Sequence, residues 1–384
     1  MTSLPTDGKR EATIAHLING ENIGGIERLV MTLCRLHRRV QPKMVCLMDG
    51  AMRRATNPVP DLVPMARRLD LTAAVRVARY VREQGVDLLV AHTLRANLVG
   101  AVAARLARVP VVATIHSPIA RDTEERWRNF RNARLQKLLI RWTDAYVTVS
   151  DGLRNEIVSK GVPPSRVTVV RNGVDADRYD AGDGAAFRRS LPGVEDSTPL
   201  VGTLALLRPR KGIEFLLRAA PVILRECPSC KFVVAGQAER ASYAARLSHL
   251  CRELGIADRV FFTGHHEDVS SLLATLDVFV LPSLFGEGLP LVVLEAMAAR
   301  RAVVATDTEG NREIIGPGVT GCLVPPGDPQ KLAHTVAALL ADPVCRREMG
   351  DAAGVAVRQR FSAARMTAEA EAAYLQVLAE RRSR

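Results

Sequence analysis

The sequence predicts an α/β protein of two doubly wound parallel-sheet domains facing a central cleft. Three observations predict it. Short runs rich in β-branched residues alternate with amphipathic helical segments along the whole chain. The strand-like runs are apolar throughout, as in strands covered by helices on both faces. The alternation breaks once, at residues 176–198, and restarts in a chain of 384 residues, more than one core ordinarily serves.

In the N-terminal half, ATIAHLI (12–18), KMVCLM (43–48), DLLVAH (87–92), PVVATIH (110–116), AYVTVS (145–150) and RVTVVRNG (166–173) read as strands. LTAAVRVARYVREQG (71–85) and RANLVGAVAARLARV (95–109) carry helical periodicity. Residues 176–198, ADRYDAGDGAAFRRSLPGVEDST, gather Gly, Asp, Ser and Pro and mark the junction. PLVGTLA, KFVVAGQ, RVFFTG, DVFVLPS, AVVATD and GCLVPPGD then resume the strand pattern. The expected division is a first domain at 1–180, a linker at 181–198, a second domain at 199–364, and a helix at 365–384 packing back toward the first. Loops at the strands' C-terminal ends would wall a ligand cleft.

A formal charge of +12 points to an anionic partner: nucleotide phosphates, nucleic acid or anionic lipid. Aromatic residues are only 4%, and no stacking platform or zinc framework is visible, which argues against nucleic acid. No apolar run reaches the length of a membrane span, and residues 1–13 are too polar for a signal peptide, so the expected location is the cytoplasm. Seven scattered cysteines then read as reduced, mostly buried thiols. Cys227 and Cys230 have metal or redox spacing but lack further ligands nearby. Absence of a GxGxxG pattern argues against a nicotinamide cofactor.

The stretch FGEGLPLVVLEAMA (285–298) places Glu287 in a glycine-rich turn after a strand and Glu295 inside the next apolar helix. At ~1.5 Å per residue the second lies about 7.5 Å along that helix, with Pro290 at its start. Two carboxylates so separated are not an acid/base pair on one face. They suit opposite ends of an elongated ligand, with free N–H groups around Leu289 favouring a phosphate between them. The plain alternative is one capping and one solvated glutamate, but Glu295 stands among apolar residues where a lone carboxylate is costly.

These residues, with NIGGIERLV (22–30), TIHSP (114–118), VSDGLRNEIVSKGVPPSRVTVVRNGVD (149–175), RPRKGIEFLLRAA (208–220), FTGHHEDV (262–269) and TEGNREII…GVTGCLVPPGD (308–328), resemble family 4 of the retaining glycosyltransferases. The resemblance covers nearly the whole chain. It implies the GT-B fold, two Rossmann-like domains, the first on the acceptor side and the second binding a nucleotide diphosphate sugar. It implies Glu295 on the donor ribose, Glu287 and Gly288 facing the transferred sugar, and Lys211 on the leaving diphosphate. The family usually places an Arg shortly before that lysine; this chain has Leu206 there, leaving Arg208 or Arg210 to substitute. An arginine facing solvent is the plain reading of each. Gly24 and Gly25 open a helix and would admit the donor closely. His116 would lie beside the donor sugar, against a merely structural histidine at a strand end.

Asp175 and Asp177 mimic a metal-binding DxD but match a family turn, and His265 and His266 lack partner ligands, so no cofactor and no obligatory metal is expected. The expected partners are a nucleotide-sugar donor, a glycan or lipid-linked acceptor of cell-envelope or exopolysaccharide assembly and an anionic membrane surface, not nucleic acid. Residues 121–144 carry the membrane expectation: Arg126, Arg128 and Arg131 flank Trp127 and Phe130, while Leu135, Leu138, Leu139 and Trp142 make an apolar stripe that, on the plain reading, packs into the first domain's core and leaves the basic residues in water. The alternatives are a sugar-nucleotide epimerase or phosphorylase of the same fold, or a basic nucleic-acid-binding protein. A phosphorylase would need a pyridoxal lysine and usually a longer chain.

Overall fold

A computed structural model describes residues 10–65, 70–118, 134 and 139–383. Thirteen strands among them form two parallel sheets. The chain divides into two compact units, Met1–Arg171 with Ala363–Arg384, and Asn172–Ser362.

The first unit's strands are β1 (Ala12–Ile18), β2 (Val40–Cys46), β3 (Asp61–Leu62), β4 (Leu88–Ala91), β5 (Val111–Ile115), β6 (Ala145–Thr148) and β7 (Val167–Val169), in the order β3-β2-β1-β4-β5-β6-β7. Only β3 was not legible in sequence, being two residues long. The order reverses between β1 and β4, which pair from Ile14 opposite Leu88 to Leu17 opposite Ala91. β4 is buried along its full length, as a strand covered on both faces must be. Helices enter on side-chain caps: Asp70 accepts from the N–H groups of Thr72 and Ala73, Thr93 from Ala96, and Ser150 from Leu153. The helix Ala363–Arg382 completes this unit, burying Met366, Ala370, Tyr374 and Leu378.

The second unit holds β8 (Leu200–Leu204), β9 (Lys231–Ala235), β10 (Val260–Gly264), β11 (Val278–Leu281), β12 (Ala302–Thr306) and β13 (Cys322–Val324), in the order β10-β9-β8-β11-β12-β13. Here the reversal falls between β8 and β11. Its core runs through Ile213, Leu216 and Leu217 of one helix, Phe232 and Val234 of β9, and Val278 and Val280 of β11.

Residues 181–198, expected as a linker, belong to this second unit and include the helix Gly184–Ser190. Its glycines explain why the composition misled. A Cβ on Gly182 would stand 2.5 Å from the Ser270 carbonyl oxygen, and one on Gly184 would stand 2.7 Å from the Thr275 nitrogen. They are there for close packing, not for flexibility. Of the basic segment at 121–144, residues 121–133 and 135–138, with Leu135 and Leu138 of the expected stripe, lie outside the described residues. Leu139 is buried in the first unit's core, whereas Trp142, expected beside it, is 37% exposed beneath the Arg105 guanidinium.

Candidate active site

In an open parallel sheet, the loops leaving two strands on either side of the order's reversal diverge and leave a crevice at the strands' C-terminal ends. In the second unit these loops follow β8 and β11, and they carry the residues the sequence singled out. After β8, Arg208 precedes a single 3-10 turn, Pro209–Lys211, closed by Gly212 at φ +64°. A Cβ at Gly212 would stand 2.1 Å from the Pro282 carbonyl oxygen of the loop after β11, so only glycine lets the two loops meet.

That meeting brings Lys211 to Glu287. Lys211 Nζ donates to Glu287 Oε1 at 2.5 Å, and Ser283 Oγ donates to the same oxygen at 2.5 Å. Burial alone would raise the Glu287 carboxyl; Lys211 and Arg210 beside it outweigh that and hold it below the usual carboxylate range. Burial lowers Lys211, and Arg210 and Arg208 push the same way against Glu287. The pair is therefore a buried ion pair under strong positive potential, the arrangement a polyanionic ligand would relieve.

Arg210 is buried, and its guanidinium donates to the carbonyl oxygens of Phe285 at 3.2 Å and Gly286 at 2.9 Å. It braces the glycine-rich turn from within. Arg208 is half-buried one residue before the 3-10 turn, close enough for its charge to act on Lys211. Leu206, at the place of the family's usual arginine, is exposed.

Gly288 and Leu289 lead into the helix Leu291–Ala298, with Pro290 at its cap and not its first helical position. The approach is tight: a Cβ at Gly310 would stand 2.5 Å from the Gly288 carbonyl oxygen, and Asn172 donates to the Leu289 carbonyl at 2.7 Å. Glu295 is buried in that helix. Its Oε1 accepts from the Tyr179 hydroxyl at 2.8 Å, while Oε2 is buried with no hydrogen-bond partner among the described residues. A buried carboxylate oxygen left unmatched costs about 1–3 kcal/mol or more. Tyr179 was missed in sequence because it lies in the stretch taken for the junction.

In the first unit, after β1, Gly24 caps and Gly25 opens the helix Gly25–Leu36. The Gly24 N–H already donates to Glu27 Oε2 at 3.0 Å, so a phosphate there would compete with the helix's own carboxylate. His116 directly follows β5 and does not stand alone. His92 Nδ1 lies 3.1 Å from His116 Nε2, His16 Nδ1 2.9 Å from His92 Nε2, and His37 Nε2 3.3 Å from His16 Nε2. The chain ends where His37 Nδ1 meets Glu371 Oε1 at 3.2 Å. Burial pushes His116 down to about 4, holds His16 and His92 well below the ordinary imidazole value, and lowers His37 against the pull of Glu371. Sequence reasoning found only His116. For His16 and His92 the signal was available: histidines in or just after β1 and β4, neighbours of His116 after β5 once the sheet order is known.

The two decoys stay apart from this chemistry. Asp177 pairs with Arg358, and His266 packs edge-on against Phe187. All seven cysteines are free thiols. Among the described residues no helix is long and apolar enough to cross a membrane, and no group of acidic, His or Cys residues is placed to hold a metal ion.

Two parallel α/β units, each with its polar residues at the sheet's reversal, define the two-domain GT-B class. The chain belongs to the family-4 glycosyltransferases: residues 23–178 match Glycosyltransferase Family 4, and residues 198–342 match Glycosyl transferases group 1. An uncharacterized glycosyltransferase of Methanocaldococcus jannaschii is 33% identical over 265 residues, 67% of this chain and 66% of its own length. The lipopolysaccharide core biosynthesis mannosyltransferase LpcC of Rhizobium leguminosarum bv. viciae is 31% identical over 299 residues, 76% of this chain and 79% of its own. The Anabaena protein HepE, solved in complex with UDP-glucose, matches with TM-score 0.83 and 25% identity over 97% of this chain and 99% of its own.

Proposed function

We propose that this glycosyltransferase moves a sugar from a nucleotide diphosphate sugar to a hydroxyl acceptor with retention of the anomeric configuration. The observation that carries the reading is a pair of buried carboxylates flanking one helix start. Glu287 is held ionised by Lys211, and Glu295 has an unmatched oxygen. In this reading Glu295 takes a ribose hydroxyl, and Glu287 orients the transferred sugar with Gly288 and Leu289 at its side. Lys211, with Arg208, neutralises the diphosphate as it leaves. The acceptor hydroxyl attacks from the face the diphosphate vacates, and charge stabilisation on the leaving group supplies most of the rate. His116 accepts a hydrogen bond from the substrate in the first unit, where Gly24 and Gly25 admit the donor. The reaction uses no metal; chelator should leave it unchanged.

That HepE was solved with UDP-glucose supports a nucleotide-sugar donor. That LpcC is a lipopolysaccharide core mannosyltransferase supports a glycan or lipid-linked acceptor in the cell envelope. A cytoplasmic enzyme acting peripherally at an anionic membrane would use Arg126, Arg128 and Arg131, at about 1 kcal/mol per basic residue near the surface. Co-sedimentation with anionic but not neutral liposomes, lost when all three become Gln, is the expected result for that part.

A thermal-shift series with UDP, GDP, ADP and a mixed-sequence oligonucleotide tests the class of ligand. Stabilisation by one nucleotide diphosphate and not by the oligonucleotide is expected. Stabilisation by the oligonucleotide alone would replace this reading with nucleic-acid binding.

A further inference from the structure

The four-histidine chain has a direction, and one end decides it. Glu371 Oε1 accepts from the backbone N–H of Arg38 at 2.6 Å and of Arg39 at 2.9 Å as well as facing His37 Nδ1. Those donors, outweighing its burial, hold the Glu371 carboxyl below its usual range, so it is an acceptor only. His37 Nδ1 must then carry a proton. A neutral imidazole has one N–H and one lone pair, so His37 Nε2 accepts and His16 Nε2 donates to it. His16 Nδ1 then accepts from His92 Nε2, and His92 Nδ1 accepts from His116 Nε2.

We infer that Glu371, through His37, His16 and His92, fixes His116 as the Nε2–H tautomer, so that His116 offers an unprotonated Nδ1 to a substrate hydroxyl. The inference rests on the proposed role of His116 for its catalytic meaning, but not for the tautomer itself. His92, His16, His37 and Glu371 are positioning residues in this account.

Two features make the order stable. The reverse order would set two lone pairs against each other at Glu371 or put an additional proton on His37. Burial opposes that additional proton on every ring. The rings are also held in register, with neighbouring centroids 5.2–5.4 Å apart and planes within 23–28°. Tyr374, one turn along the helix from Glu371, closes edge-on over His16 at 5.8 Å. A structural role alone would require the rings to pack but would not require their protons to point one way.

Long-range 1H–15N correlation spectra of the full-length, histidine-labelled protein at pH 7 distinguish the two neutral tautomers, with the His116 signals assigned by their loss in His116→Gln. A single Nε2–H tautomer at His116 is expected in the wild type and in Glu371→Gln, whose amide oxygen still accepts. Glu371→Ala admits water, which both donates and accepts, and should give mixed tautomers. It should also lower kcat tenfold or more, with nucleotide affinity within twofold and activity restored by the Gln variant. If Glu371→Ala does not fold, His37→Ala removes both the donor to Glu371 and the acceptor for His16, breaks the chain at the next ring, and is read the same way. An Nδ1–H tautomer in the wild type, or an unchanged tautomer in the broken chain, overturns the inference. Mixed tautomers with an unchanged kcat would uphold the relay and refute the role proposed for His116.

Discussion

Lys211 and Glu287 form one contact that supports the fold and carries the role proposed for both. Their ion pair holds two loops together, and a ligand diphosphate would share the same lysine. Glu287→Gln keeps the Ser283 contact and removes the charge, so transfer should fall by about 100-fold or more, as for other lost transition-state contacts. Affinity for the bare nucleotide diphosphate should stay within twofold. Glu295→Ala should do the opposite, weakening the bare nucleotide. Calorimetry on both variants separates the roles, and equal losses of affinity would refute the division. Arg208 and Arg210 divide similarly. Arg210→Ala strands two carbonyls and should cost about 2–3 kcal/mol of stability, measured by denaturant unfolding. Arg208→Ala should slow transfer. The two glutamates were legible because their spacing around Gly288 and Pro290 has a local geometric meaning. The separate duties of Arg208 and Arg210 were not, because two residues of the same type, two positions apart, differ only in which carbonyls the folded turn brings to them.

The strands and their C-terminal loops were legible as elements because continuous apolar runs of four to seven residues rarely fit anything but a covered parallel strand. What the sequence concealed is adjacency. His16, His92 and His116 lie far apart in the chain and become neighbours only through the β1-β4-β5 order. Gly212 is the element-scale residue most open to test: Gly212→Ala combines a left-handed backbone with a clash against Pro282 and should cost at least about 1–3 kcal/mol. It should also weaken nucleotide binding, since Lys211 follows its loop. The histidine ladder makes a pH prediction. These imidazoles are kept neutral in the fold, whereas in the unfolded chain they take up protons near 6.5, so the unfolded state binds more protons on acidification. Stability should therefore be flat above pH 7 and fall as pH drops from about 6.5 toward 4. A melting temperature constant between pH 7 and 5 would contradict the buried, neutral ladder.

At the scale of the molecule, two parallel-sheet units were expected and are present, and the junction proved the least legible part because packing glycines and linker glycines look alike in composition. The chain enters the second unit at Asn172 and re-enters the first at Ala363. The helix that returns buries Met366, Ala370, Tyr374 and Leu378, the three large ones contributing about 1.5–3 kcal/mol each of apolar burial. That is comparable to the whole stability of a domain. A chain ended at Ser362 should therefore lose the cooperative unfolding transition of its first unit, visible as early proteolysis within residues 10–118, while the second unit still melts cooperatively.

The same return has a consequence in time. Ribosomes deliver residues in order, so the first unit's N-terminal part emerges early yet lacks Glu371 until about 200 residues beyond Arg171 have been made. At ~5–20 residues per second that is about 10–40 s, during which the second unit can fold in full. Throughout that interval the buried histidines have no carboxylate to order them and an uncovered apolar face beside them. The half-made enzyme should be the state most in need of a chaperone, and the tautomer inferred for His116 should not be fixed until the returning helix docks.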